Sequence, residues 1–206
     1  MWSFEKCAVV VAHPDDETLW VGGTILLHPE SKWTVVALCK SSDPDRASKF
    51  SGALAHLNAA GAMGELDEDP EQTPLAIGDI QKTVLELLPS HKFDLVITHG
   101  IWGECTQHLR HEETSRAVSA LWNSGRLPAR QMWRFAYEDG DGRYPPRIIE
   151  SADVRARLPD EIWQKKYEII TDVYGFSPDS PEAAGVPREE AFWSVGRKKA
   201  MNTASR

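Results

Sequence analysis

Near the N-terminus a short apolar run ends in Ala12-His13-Pro14-Asp15-Asp16-Glu17, setting one imidazole and three carboxylates within five residues. Activating water on a metal calls for a neutral nitrogen ligand, an oxygen ligand and a separate carboxylate to take the proton. This segment can supply all three. It also admits a plainer reading. Pro14 suits the start of a helix, and acids in a first turn complement the helix dipole and its unpaired N–H groups. Capping and chemistry are compatible, and the imidazole at the end of the apolar run favours chemistry.

A second cluster, Gln107-His108-Leu109-Arg110-His111, follows another apolar run. His108 and His111 share a face if the turn is helical, and imidazole serves either coordination or proton transfer near neutrality. An isolated His-x-x-His is more often a pair of surface histidines, so its weight depends on where the chain carries it. Arg46 follows a third apolar run. It can hold a substrate hydroxyl, phosphate or carboxylate, or pair with Asp43 or Asp45 as a solvated helix-start residue. Cys105, three residues before His108, is a rival metal ligand.

The elements that must position these residues alternate. Residues 7–12, 33–39, 93–98 and 132–137 read as strands. Helical spacing marks 16–28, 45–60, a third helix from Ile77 to about Leu88, 112–122 and a last helix from Ile162 to Val173. A polar loop covers 66–74, and a Pro/Ala/Glu-rich surface arm covers 178–187, within a C-terminal arm of about 176–206. Strands alternating with helices predict an α/β fold, a Rossmann-like three-layer sandwich with a mainly parallel sheet. Ligands of such sheets bind outside the carboxyl ends of the strands. His13–Glu17, Ser41–Arg46 and His99–His111 therefore converge on one edge for a topological reason.

Composition narrows the class. A chain of 206 residues with 41% apolar content reads as one domain, 1–206. A net charge of −8 and a pI near 5.4 argue against nucleic-acid partners or an anionic membrane surface. The basic Arg197-Lys198-Lys199 reads as a solvated tail. No apolar run approaches the roughly 20 residues of a membrane span, and the first residues lack the pattern of a secretory signal. Cys7, Cys39 and Cys105 are odd in number and contain no CxxC pair, which fits a reducing interior. The expectation is a soluble, cytoplasmic domain, with a homo-oligomer compatible.

Ala12-His13-Pro14-Asp15-Asp16-Glu17 resembles the A-H-P-D-D-E signature of the PIG-L/LmbE-like family, zinc-dependent N-acetylglucosaminyl de-N-acetylases and their relatives. Gly22-Gly23-Thr24, Asp45-Arg46 with Phe50, and the mid-chain His pair are similar to the family in order, over about residues 6–137. The resemblance implies Zn2+, or another divalent metal, held by His13, Asp16 and His111. It implies Asp15 as general base and His108 assisting at the oxyanion or leaving group. The implied activity is removal of an N-acetyl or other N-acyl group from a small amino sugar or sugar conjugate. Many members carry G-H-P-D-H in the third motif, where this chain has Gln107-His108-Leu109-Arg110-His111. The His spacing survives, but Arg110 reverses the local charge.

Other classes remain in view. A metal amidase acting on a non-sugar amide would share every residue named. A metal-binding domain without catalysis would bind zinc yet leave hydrolysis indifferent to Asp15. A nucleotide-binding Rossmann module would need G-x-G-x-x-G after the first strand, where the carboxylates found here would repel a pyrophosphate.

Overall fold

The computed structural model describes residues 4–67, 73–89, 92–104 and 108–196. In chain order the elements begin β1 (Lys6–Val11), α1 (Asp16–Leu27), β2 (Lys32–Cys39), α2 (Pro44–Leu57), β3 (Ala60–Leu66), α3 (Ile77–Leu87), β4 (Phe93–Thr98) and α4 (Leu109–Asn123). They continue β5 (Ala129–Phe135), β6 (Tyr137–Glu138), β7 (Arg147–Ile148), β8 (Val154–Arg157), α5 (Asp160–Glu168), α6 (Pro181–Ala184) and β9 (Glu189–Val195). A π-helical turn, Ile169–Val173, extends α5.

The α/β sandwich is as expected. One seven-stranded sheet runs β3-β2-β1-β4-β5-β9-β8, with β3 to β5 parallel. Strand β9 is antiparallel to both its neighbours. Strands covered on both faces read as unbroken apolar runs, and β1 (Lys-Cys-Ala-Val-Val-Val) divides its side chains between two cores. Cys7, Val9 and Val11 pack with Leu19, Phe50 and Ile170 on one face. Ala8 and Val10 pack with Ile80, Val84 and Val118 on the other. Sheet order reverses between β1 and β4, and crevices form outside strand ends at such a point. His13 follows β1 there, and His99 follows β4.

Three expectations need correction. Where the sequence reading ended a helix at about Ala60, began a loop at Leu66 and assigned no element between them, residues 60–66 form a strand. Its sequence, Ala-Gly-Ala-Met-Gly-Glu-Leu, has weak β propensity, and pairing with β2 decides its state. The glycines serve that close pairing, since a Cβ on Gly61 would lie 2.1 Å from the Val35 carbonyl oxygen. The last helix is broken in kind, α5 giving way to the π-helical turn. The segment read as an arm from about 176 contains β9, whose Ala191 and Phe192 are fully buried between β5 and β8. Arg197-Lys198-Lys199 lies outside the described residues. Among the described residues no helix is long and apolar enough to cross a membrane.

Candidate metal centre

The Pro-Asp-Asp turn after β1 brings its groups inward. His13 Nδ1 lies 3.2 Å from Asp16 Oδ2 and 3.1 Å from His111 Nε2, and His111 Nε2 is 3.3 Å from Asp16 Oδ2. A tetrahedral ion with bonds of about 2.0–2.1 Å sets neighbouring ligand atoms about 3.3 Å apart. Two imidazole nitrogens and one carboxylate oxygen at this spacing fit zinc or another divalent ion, with a coordination position left over. His111 occupies the first turn of α4, which begins three residues earlier than the sequence reading placed it. His108 is the residue preceding α4, and its ring lies 4.6 Å from that of His13 and 4.7 Å from that of His111. His13, His108 and His111 therefore form a second group of adjacent donors.

Two residues behind this cluster, His99 and Glu104, have no role in the sequence reading. His99 Nε2 accepts from the Ala12 amide at 2.9 Å, so its ring carries the proton on Nδ1, 2.7 Å from Glu104 Oε2. That engaged lone pair sets His99 aside as a ligand, although it too neighbours Asp16 and His111. Glu104 Oε2 also lies 2.8 Å from His111 Nδ1, and its Oε1 accepts from the Gly100 amide at 2.7 Å. A carboxylate receiving the outer N–H of a ligating histidine fixes the tautomer and turns the inner nitrogen toward the ion. The sequence offers one weak sign of this: His99 directly follows a buried strand, as His13 nearly does.

Burial would raise the Glu104 carboxyl, but the His99 and His111 rings outweigh it and hold it at about 2. Burial likewise works against charge on Asp16, yet His111 and His99 keep its carboxyl well below the usual range. His111 is the counterpart. Burial disfavours its cationic form, but Asp16 and Glu104 push its pKa up to about 10. The metal-free cluster is thus an imidazolium between two carboxylates. Trp20, four residues along α1, donates from Nε1 to Asp16 Oδ1 at 3.1 Å, and Tyr137 OH donates to the Trp20 carbonyl.

Asp15 stands apart from the donor set. Its carboxyl is pushed well above the usual value by burial and by Asp16 and Glu17, against the pull of His13 and Arg46. Arg46 Nη1 lies 3.2 Å from Asp15 Oδ2, so the arginine pairs with neither Asp43 nor Asp45 through its guanidinium. Asp43 instead accepts from the Asp45 and Arg46 amides at the start of α2, and Asp45 binds Lys49. Arg110 turns away from the cluster. It is buried against Glu113 and donates to the Asp67 and Thr73 carbonyls. Cys105 and Gln107 lie outside the described residues.

No family model matches the chain. Solved structures share its fold. N,N'-diacetylchitobiose deacetylase from Pyrococcus horikoshii has 15% identity and a TM-score of 0.67, covering 94% of this chain and 84% of that one. A zinc-inhibited form of teicoplanin deacetylase has 14% identity and a TM-score of 0.65, covering 95% and 99%. The 4-carboxy-2-hydroxymuconate hydratase GalB from Pseudomonas putida has 16% identity and a TM-score of 0.61, covering 97% and 100%. At such identities the likeness is one of fold, and function has to be argued from the site.

Proposed function

We propose that the chain is a metal-dependent hydrolase of the PIG-L/LmbE-like kind that removes an N-acetyl or related N-acyl group from an amino sugar or sugar conjugate. One observation carries this reading: two imidazoles and a carboxylate converge at ligand spacing, while the adjacent carboxylate of Asp15 stays outside the set. Two neighbours of the same fold are a chitobiose deacetylase and a teicoplanin deacetylase. The first is named for N,N'-diacetylchitobiose, and N-acetylglucosamine is the simplest N-acetylated amino sugar with which to test the same chemistry.

In this reading His13, Asp16 and His111 hold the ion, zinc being the first choice. A divalent ion there supplies Lewis acidity, making a water acidic near neutral pH and polarising an amide carbonyl. The remaining work belongs to the chain. Asp15, whose carboxyl is raised above its ordinary value by burial and by Asp16 and Glu17, accepts a proton from the attacking water as oxygen adds to the carbonyl carbon. His108 borders the same space and donates to the oxygen that gains charge as the tetrahedral centre forms. As the C–N bond breaks, the proton taken by Asp15 passes to the departing nitrogen, leaving a carboxylic acid and a free amine. Arg46, with about a third of its side chain exposed, holds Asp15 on one side and meets a substrate hydroxyl or anionic group on the other.

Acetate release from N-acetylglucosamine and from diacetylchitobiose by zinc-loaded protein, beside Asp15→Asn, tests the proposal. We expect the variant to keep its zinc while turnover falls by about 10²–10⁴-fold, the usual worth of a positioned base. Full activity in Asp15→Asn would remove Asp15 from that role. Because the same fold also carries a hydratase, turnover of an unsaturated acid without any amide hydrolysis would overturn the deacylase reading.

A further inference from the structure

Asp15 has an unusual backbone. Its φ of 115° lies where a side chain is crowded, and it is not a glycine. Such a residue persists only where its surroundings over-determine it. It is also the residue before α1, yet its carboxylate caps no amide of the helix. An aspartate at this position ordinarily does so. Here the strain is held and the carboxylate kept off the helix by something else.

We propose that Glu17 and Tyr174 are positioning residues for Asp15, and that the segment from Tyr174 to Phe176 grips it through both backbone and side chain. Glu17 is fully buried, and its Oε2 accepts the Asp15 amide at 3.0 Å. Its Oε1 accepts from Thr18 Oγ1 at 2.6 Å and from Tyr174 OH at 2.8 Å. A capping box would reach back from the third helical residue, which is Thr18, so this contact from the second is not that motif. Two residues beyond Tyr174, the Phe176 ring lies 5.6 Å from the Arg46 guanidinium carbon, and Arg46 in turn holds the Asp15 carboxylate. A buried carboxylate costs free energy that an aliphatic side chain would avoid. What it secures here is the Asp15 amide.

The catalytic consequence rests on Asp15 being the proton acceptor, but the positioning itself does not. Tyr174→Phe removes one hydroxyl and keeps the ring, and Glu17→Gln leaves one acceptor oxygen for two sets of donors. Exchange of the Asp15 amide, followed by NMR in metal-free protein, should quicken about tenfold or more in each variant, with amides inside α1 unchanged. In zinc-loaded protein kcat should fall about tenfold at unchanged KM and zinc content. Unchanged Asp15 exchange in both variants overturns the proposal. So does faster exchange spread along the whole of α1, while faster exchange at Asp15 with kcat intact overturns the catalytic consequence. If wild-type protein hydrolyses no amide, the deacylase reading fails, and the exchange data alone decide the positioning.

Discussion

The side chains at the centre act in pairs, and each pair separates a proton question from a charge question. His111 keeps its proton in the metal-free chain up to about pH 10, against 6.5 for an unperturbed imidazole. Metal uptake at pH 8 therefore expels it, and calorimetry in buffers of different ionisation enthalpy should register about one proton released. The same raised pKa makes a stability prediction. The His111 ion pair contributes fully below about pH 6.5 and fades as pH climbs to about 10, so denaturation midpoints of metal-free protein should decline across that window. Zinc-loaded protein, with no such proton to lose, should give a flatter profile. Glu104 serves two rings at once, so Glu104→Gln should weaken zinc binding by about 10–100-fold in competition with a chelator. An unchanged affinity would mean that the ring orientations are fixed by packing alone.

At the scale of elements, α1 begins with Asp16 and directly follows Asp15, and it is clamped at its middle. Glu190 on β9 accepts from the Gly23 and Thr24 amides at 2.8 and 2.6 Å, and from Lys166 Nζ on α5 at 2.5 Å. Both members of this ion pair are fully buried, and burial lowers the Lys166 pKa against the pull of Glu190. Breaking a buried pair leaves an uncompensated charge, so Lys166→Met should cost about 3–5 kcal/mol in denaturant unfolding. Gly23→Ala sets two effects against each other. Alanine gains about 1 kcal/mol of helix propensity. Its Cβ, however, would stand 2.4 Å from Leu158 Cδ1 and 2.9 Å from Glu190 Oε1. Overpacking of about 1–3 kcal/mol should win, and a stabilised Gly23→Ala would show that the clamp yields.

For the whole molecule, the C-terminal part is structural rather than appended. Strand β9 joins β5 to β8, bears Glu190, and buries Phe192 against Trp133 and Phe135. A chain ending at residue 188 should lose its dispersed NMR spectrum, whereas one ending at 196 should retain it. A folded 188-residue product would return the segment to the status of an arm. The misreading has a local cause. Pro178, Pro181 and Pro187 dominate the composition just before β9 and mask a strand whose inward residues are few.

The residue pattern was enough to read the parallel sheet, the strand ends that precede His13 and Arg46, and the pairing of the first acidic motif with a histidine pair elsewhere. Those features follow from periodicity and connection rules, which act over a few residues or a single βαβ unit. It also marked Asp15, Asp16, His108 and His111 as a group worth bringing together. Tertiary structure alone decided what surrounds them. Glu17 and its partner Tyr174 lie 157 residues apart, and Gly23 and its partner Glu190 lie 167 apart. No local propensity records such contacts. Once buried, a polar group must find a donor or acceptor wherever the fold supplies one. Glu17, which reads in sequence as one more acid in a helix start, therefore became the anchor of the Asp15 amide.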